Sequence, residues 1–549
     1  MAFDTDVLIV GGGPTGLMLA AELAKFGVNF RLIDKSEDRV RESRAIVIQS
    51  RSMELFQNLG VSDKFLKKIN SAKMAQFNYQ GKRIARFNLT DSLKEETTPF
   101  PSVFFLPQYE TESILIQHLK EKGIQVERPK ELVKITPYHS GVRVEVKDTF
   151  YQSTEKIHCR YLVAADGAKS FVRDALQVPF KGTTHEQEFL LADAELDKPW
   201  MDSNIVQAFL NKGHLAIFFP LNENITRVIG SSFFETKDVE KLVSEATDGQ
   251  ASVKKLQWIS KFKVHHRSVE HYQVGRVFFA GDAAHVHSPV GGQGMNTGLQ
   301  DAANLGWKLA YVLKGYSREH LLTTYEAERK PVGKKLVETT DRAFSFLVSQ
   351  NFILSKFRDY VIPFVLKHHS FFNLNERSLF GFISQLHIKY PQGEIVEEIG
   401  EQEDANFTHA AKAGLRAPDA KLGDSTLFEI FQSAPSHLLL FGFGPQEQDS
   451  SLLKFIQTKY KNLMRVHFFN VSQEHEEIFA RYGVLSSAVY FIRPDGHVGF
   501  KSFGTELKDL KIYLKRLMGR SLKAKKEPVV RNQGLRLIKS GEDIHPPLH

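Results

Sequence analysis

Residues 7–34 read VLIVGGGPTGLMLAAELAKFGVNFRLID. The first four form an apolar run, the pattern of a parallel strand buried on both faces. Gly11, Gly13 and Gly16 follow at once, in the spacing G-x-G-x-x-G. A helical pattern then covers 14–26, with Leu17, Ala20, Ala21 and Ala24 on one face, and Gly27 ends it. A second strand, 29–33, finishes at Asp34. This is a βαβ unit in about 30 residues. The glycines permit a tight turn and close approach to a pyrophosphate, and the helix N-terminus offers free N–H groups with partial positive charge. Asp34 can accept hydrogen bonds from a ribose. The unit predicts a dinucleotide site, without deciding which dinucleotide.

Outward from this unit, 549 residues are too many for one core, and two to four domains are expected. Hydrophobic content of 42% and charged content of 25% exclude a mostly disordered, collagen-like or multi-span membrane protein. The one cysteine, Cys159, excludes an intrachain disulfide and a cysteine-based metal site, and suits a reducing compartment. No apolar run reaches the length of a membrane span, and the first residues lack a basic segment and a cleavage site. A cytoplasmic location without integral membrane association is therefore expected. The net charge of +8 sits in a short tail, where residues 515–539 hold nine basic side chains against the single acid Glu527. The balanced remainder argues against a nucleic-acid partner. A solvated extension is the expectation, with contact to an anionic membrane or partner as the alternative.

Helical patterns cover 51–69, 110–122, 237–247 and, broken near Gly315, 295–349. Residues 71–90 alternate around Gln80-Gly81 as a hairpin. Strand patterns fall near 124–127, 131–136, 142–147, 161–165 and 276–280, with several alternating strands over 185–235. The polar, acidic stretch 385–412 reads as a linker. Beyond it, strands at 437–443, 464–469 and 487–492 alternate with helices near 450–459 and 505–517.

Two of these strands end in loops suited to chemistry. Strand 161–165 leads into Asp166-Gly167, and strand 276–280 into Gly281-Asp282, where a carboxylate at a strand end can bind a hydroxylated chain. Further on, Pro289, Gly291, Gly292, Gly294, Met295 and Asn296 make a glycine-rich turn that opens a helix. The N–H groups of its first turn can face an anion such as a reduced flavin.

These glycine–acid sites resemble the three fingerprints of FAD-dependent aromatic hydroxylases, the p-hydroxybenzoate hydroxylase family. Especially close are FFAGDAAHVHSPVGGQGMNTGLQDAANLGWKLAYVLKG from residue 278 and YEAERKP ending at Pro331. YLVAADGAKSFVR at 161–173, Arg44-Ala45, and Gln108 with Glu112 are similar to other family motifs. The likeness covers about 1–345 and extends weakly into 413–518. There Gly414-Leu415-Arg416-Ala417-Pro418-Asp419 and Arg493-Pro494-Asp495-Gly496 resemble the thioredoxin-like C-terminal domain of longer members.

The resemblance implies an α/β fold: a Rossmann-like FAD-binding domain (1–70, 99–184 and 275–345) with an inserted β-rich substrate domain (71–98 and 185–274). A helical segment and linker (346–412), a thioredoxin-like α/β domain (413–518) and a basic tail (519–549) would follow. It implies that Gly11, Gly13, Pro14, Thr15 and Gly16 hold the FAD pyrophosphate, and Asp34, where the family usually has Glu, with Lys35 the adenosine side. Arg44 and Gln108 would contact the phosphate and ribityl parts, Asp282 the ribityl or pyrophosphate region, and Asp166 the pyrophosphate side and NADPH. Pro289, Gly292, Gly294, Met295 and Asn296 would line the isoalloxazine ring. The implied reaction is a monooxygenation in which NADPH (or NADH) reduces FAD and O2 forms a C4a-hydroperoxide. A small phenolic or polycyclic aromatic substrate then takes the oxygen. No catalytic acid or base is assigned, and a homodimer is left open. The alternatives are an antibiotic-inactivating monooxygenase of the same fold and a non-catalytic flavoprotein, a redox sensor or scaffold acting through 413–518.

Several residues are discounted. His285 and His287 form H-x-H without a third ligand at suitable spacing, so loop packing or a polar contact is expected and no metal site. The absence of cysteine from 413–518 excludes thioredoxin chemistry there. Trp200, Trp258 and Trp307 are too far apart for the tryptophan motif of flavin halogenases.

Overall fold

The computed structural model describes residues 2–38, 45–79, 82–88, 98–197, 204–211, 214–222, 224–231, 239–287, 292–348, 361, 364–365, 384–400 and 411–519. Arg44, the Gln80-Gly81 turn, Pro289, Gly291, nearly all of 349–383 and the tail from 520 onward lie outside the described residues.

The N-terminal strand Thr5–Val10 is buried along its length and pairs in parallel with Phe30–Ile33 on one side and Ser153–Ala164 on the other. Strand Val277–Phe279 adds in parallel beyond Ser153–Ala164. The crossover helix Pro14–Lys25 packs against the long helix Gly294–Leu313. The approach is close because it is made over glycines: a Cβ on Gly306 would stand 2.6 Å from that of Glu22. Strand Ser153–Ala164 is twelve residues long because it serves two partners. Its second half joins the parallel sheet, and its first half pairs antiparallel with Gly141–Asp148, which pairs with Lys130–Tyr138. The expected strand at 124–127 reduces to one bridge between Ile33 and Glu127.

A second sheet of eight strands runs in the order His285–Val286, Val253–Val269, Phe180–Leu196, Ile225–Ser231, His214–Pro220, Ile205–Asn211, Met74–Tyr79, Lys82–Asn88. Alternation gives this sheet two faces. On one, Ala192, Phe209, Phe218 and Val228 are fully buried under helix Val239–Ala246, so closely that a Cβ on Gly230 would meet Leu242 at 2.7 Å. The other face, with Ala75, Val206 and Phe219, turns toward Ile46, Val47 and Phe105 of the nucleotide-binding unit.

The C-terminal unit is a mixed five-stranded sheet in the order Glu397–Ile399, Val498–Phe503, Ala488–Ile492, Ser436–Phe441, Met464–Phe469. The first of these strands corrects, over 385–400, the reading of 385–412 as a linker; residues 401–410 lie outside the described residues. Glu397–Ile399 pairs in parallel with Val498–Phe503, and Tyr390, Ile395 and Val396 are buried. The acids that made the stretch look solvated have side-chain partners: Glu394 meets His320 Nε2, Glu397 pairs with Arg516, and Glu398 with Lys501 at 3.2 Å.

Candidate functional site

The three glycines of the first turn do different work. Gly11 has φ +110°, and a Cβ there would stand 2.3 Å from Ala165 O, while one on Gly16 would stand 1.9 Å from Gly11 O. Both are required by the packing of the chain itself. At Gly13 nothing lies within 4 Å of where a Cβ would stand. That open ground sits at the start of helix Pro14–Lys25, which no side chain caps. First-turn N–H groups need an acceptor, and a pyrophosphate fits both the space and the donors. Pro14, at the first helical position, fixes φ where its missing N–H has no consequence.

Thr15 has another role for its side chain. Its Oγ1 stands 2.5 Å from where a Cβ on Gly281 would be and 2.4 Å from one on Gly298. It is the wedge that joins the first glycine turn, the Gly281-Asp282 turn and the long helix. Asp34 accepts from Gly12 N–H at 2.6 Å and from Ser36 N–H at 2.8 Å, which orients its carboxylate and leaves lone pairs for hydroxyl groups. Lys35 is exposed beside it.

Arg128 escaped the sequence reading. Its guanidinium donates to Gly12 O at 3.2 Å and lies 3.8 Å from Asp34, so a cation stands beside Asp34 and the first glycine turn. Backbone hydrogen bonds between 32–34 and 127–130 bring it there, and no local signal marks it.

Gln108 opens helix Gln108–Glu121, donates from its side chain to Glu112 at 2.9 Å, and donates its backbone N–H to Ala45 O at 3.0 Å. It therefore lies beside the segment that follows Arg44. Asp166 accepts from Val172 N–H through Oδ2, while its buried Oδ1 has no hydrogen-bond partner. Burial pushes its carboxyl above the ordinary value. Asp282 is exposed on the one-turn helix Gly281–Ala283, beside the cradle.

Gly292 has φ +61°, and a Cβ there would meet Val47 at 2.6 Å. Helix Gly294–Leu313 begins two residues later without a side-chain cap. Met295 is half-buried against the core. The Asn296 side chain is fully engaged within the protein. Its Oδ1 accepts from Gln49 N–H and Ser52 Oγ–H, and its Nδ2 donates to Val47 O and Gly292 O. It pins the glycine loop and leaves ligand contact there to backbone groups.

Behind the Gly281-Asp282 turn lies a buried charge cluster that the sequence did not mark. Asp301 accepts from Gly281 N–H at 3.0 Å, contacts His285 Nε2 at 2.8 Å and accepts from Arg329 Nε at 2.7 Å. Burial alone would raise the Asp301 carboxyl, but Arg329 and His285 outweigh it and hold it below the ordinary value. His285 thus makes the polar contact expected of it.

Comparison with known proteins agrees with this geometry. The model of the FAD binding domain family matches residues 4–340. A flavin-dependent monooxygenase of Mycobacteroides abscessus is 32% identical over 90% of this chain and 96% of its own length. A rifampicin monooxygenase of Streptomyces venezuelae is 36% identical over 61% of this chain and 70% of its own. The solved structure of OxyS anhydrotetracycline hydroxylase from Streptomyces rimosus superposes with a TM-score of 0.74 at 26% identity, over 94% of this chain and 99% of that one. With the family model matched over 4–340 and a relative matched almost end to end, the chain belongs to the FAD-binding-domain family and is a flavin-dependent monooxygenase of the aromatic hydroxylase type.

Proposed function

We propose that this enzyme consumes NADPH or NADH to hydroxylate a phenolic or polycyclic aromatic compound held between the glycine loop at 292–296 and the eight-stranded sheet. The observation that carries the reading is the contrast between the two faces of that sheet. The helix-backed face is closed, whereas Ala75, Phe77, Val206, Ile217, Phe219 and Ile229 on the other are only partly buried. These residues make an apolar, aromatic wall, beside the Arg227–Asp193 ion pair on the same face. Phe219 meets Phe105 edge to face at 5.5 Å, next to Val47, on which Gly292 rests. Such a wall suits a flat apolar ligand.

Bound FAD would supply the redox chemistry, accepting a hydride and, once reduced, activating O2 for insertion of one oxygen atom into an aromatic C–H. The protein's part is binding, orientation and exclusion of water. Gly13 and the first turn of helix Pro14–Lys25 would hold the pyrophosphate, Asp34 and Arg128 the adenosine end, and Asp282 the ribityl region. Gly292, Gly294 and Met295 would offer backbone N–H groups to the ring, where negative charge on reduction is favoured. The apolar wall keeps water from the reacting centre. The C-terminal unit, thioredoxin-like by resemblance, holds no cysteine and takes no thiol step.

The likeness to a rifampicin monooxygenase favours a second reading, the same chemistry applied to a large aromatic antibiotic. NADPH consumption by FAD-loaded protein against a panel of phenols and polyketide antibiotics tests both readings. Oxidation stimulated by one class, with an oxygenated product, is expected and identifies it. A slow rate indifferent to every compound would favour a non-catalytic flavoprotein.

A further inference from the structure

Two helices meet at the glycine loop, Ser50–Asn58 and Gly294–Leu313, and Asn296 ties their starts together through Gln49, Ser52, Val47 and Gly292. Farther along, both run into one short turn of the C-terminal unit, Arg493-Pro494-Asp495-Gly496. From the first helix, Arg51 donates to Asp495 O, and Asn58 donates to Pro494 O at 3.0 Å. From the second, Asn304 donates to the Asp495 carboxylate at 3.2 Å, and Lys308 pairs with Glu328 at 2.7 Å. Glu328 takes both arms of Arg493, at 2.5 and 2.8 Å, and Arg493 reaches back to Asp495 at 2.6 Å.

Every charged group in this set is buried, with Arg493 1% exposed and Lys308 fully enclosed. Burying so many charges is a poor way to gain stability, since an apolar interface of the same volume does as well or better. What directional bonds add is a fixed rotation and register between the parts they join.

We propose that the turn at 493–496 is a positioning element for the flavin site, with Arg493 its principal positioning residue. It sets the two ring-end helices relative to one another, so that the C-terminal unit acts on the flavin through those helices. This rests on the reading that 292–296 faces the isoalloxazine ring.

The test uses full-length holoenzyme carrying Arg493→Met with Glu328→Gln, which removes both charges at similar volume. Its midpoint potential is measured by spectroelectrochemical titration and its FAD affinity by fluorescence titration of the apoprotein. A lower potential and FAD binding at least tenfold weaker are expected, with Arg493→Lys partly restoring both. Leu439→Ala, in the core of the same unit, serves as a control for lost stability and should change neither. Arg51→Lys, which keeps the charge but shortens the reach to Asp495, should show the same shift on a smaller scale, and it decides the matter if the double variant does not fold. Wild-type potential and affinity in a folded network variant would overturn the proposal. If Gly294→Val still lowers the potential in that case, only the positioning role fails. If a Gly294→Val protein that retains FAD is also unchanged, the ring-facing reading fails with it.

Discussion

Helix Gly294–Leu313 makes two interfaces of opposite kinds. Toward helix Pro14–Lys25 it offers glycines: Gly298 against Thr15 and Gly306 against Glu22, close enough that any side chain would collide. Toward helix Thr323–Val348 and the C-terminal unit it offers polar side chains: Asp301 and Lys308 enter buried ion pairs with Arg329 and Glu328, and the Asn304 amide donates to Glu328 and to Asp495, the partner of Arg493. The first interface tolerates no added volume, and the second tolerates no lost partner. The same helix is thus held by shape on one side and by charge on the other, with the glycine loop 292–296 at its start.

The largest effect is expected on the charged side. Asp301→Ala leaves Arg329 buried without its carboxylate and frees the Gly281 turn, and it should cost about 3–5 kcal/mol of stability. Chemical denaturation measures this, and a loss under about 1 kcal/mol would mean that the cluster relaxes around the change. Next is the proposed cofactor contact. Asp282→Ala should weaken FAD binding by about 1.5–3 kcal/mol, read as the apoprotein's affinity for added FAD. Full retention would remove Asp282 from the site.

On the shape side, Gly298→Ala drives a methyl against Thr15 Oγ1 and should cost about 1–3 kcal/mol. Adding Thr15→Ala removes the clashing atom, so the double variant should recover most of that loss in a double-mutant cycle. Simple additivity would show that the two residues do not share one contact.

At neutral pH the smallest effect is expected from titration, where buried histidines and buried acids act with opposite sign. Burial depresses His437 to about 3, His467 to about 4 and His497 to about 4, all in the C-terminal unit. They stay neutral in the fold while the unfolded chain binds protons below its ordinary value of 6.5. Their contribution is therefore intact above 6.5 and lost as pH falls toward 4. Glu22, at the glycine interface, is raised by burial to about 7, and Asp419 by burial to about 6. Their contribution is present in acid and lost as pH rises through those values. Glu22→Gln should steepen the acid limb of the stability profile, and His467→Gln should flatten it. Identical profiles would mean that neither group titrates between fold and unfolded chain.

The contrast also governs what the sequence discloses. The glycine turn, Asp34 and the loop at 292–296 are legible because their chemistry is local: a residue type at a fixed spacing dictates the backbone. Strands such as 464–469 and the two-faced sheet are legible for the same reason, through their period. The partners of Asp301 and Arg493 are not, because they lie far away in the chain and are joined only by the fold. Arg128 falls in this class, placed by the backbone pairing of its neighbours Glu127 and Lys130 with 32–34. The segment 385–400 misleads in the opposite direction. Its acids suggest solvent until Lys501 and Arg516 are seen to meet them. Thr15 and Asn296 sit in motifs that suggest ligand contact, yet their side chains are engaged in holding loops together.

The most direct measurement is oxygen transfer from isotopically labelled O2 by FAD-loaded protein supplied with NADPH and an aromatic panel. One labelled oxygen atom in a hydroxylated aromatic product, with NADPH oxidation stimulated by that compound, is the expected result. NADPH oxidation indifferent to every aromatic compound, with no label in any product, would contradict the assignment of this site to aromatic hydroxylation.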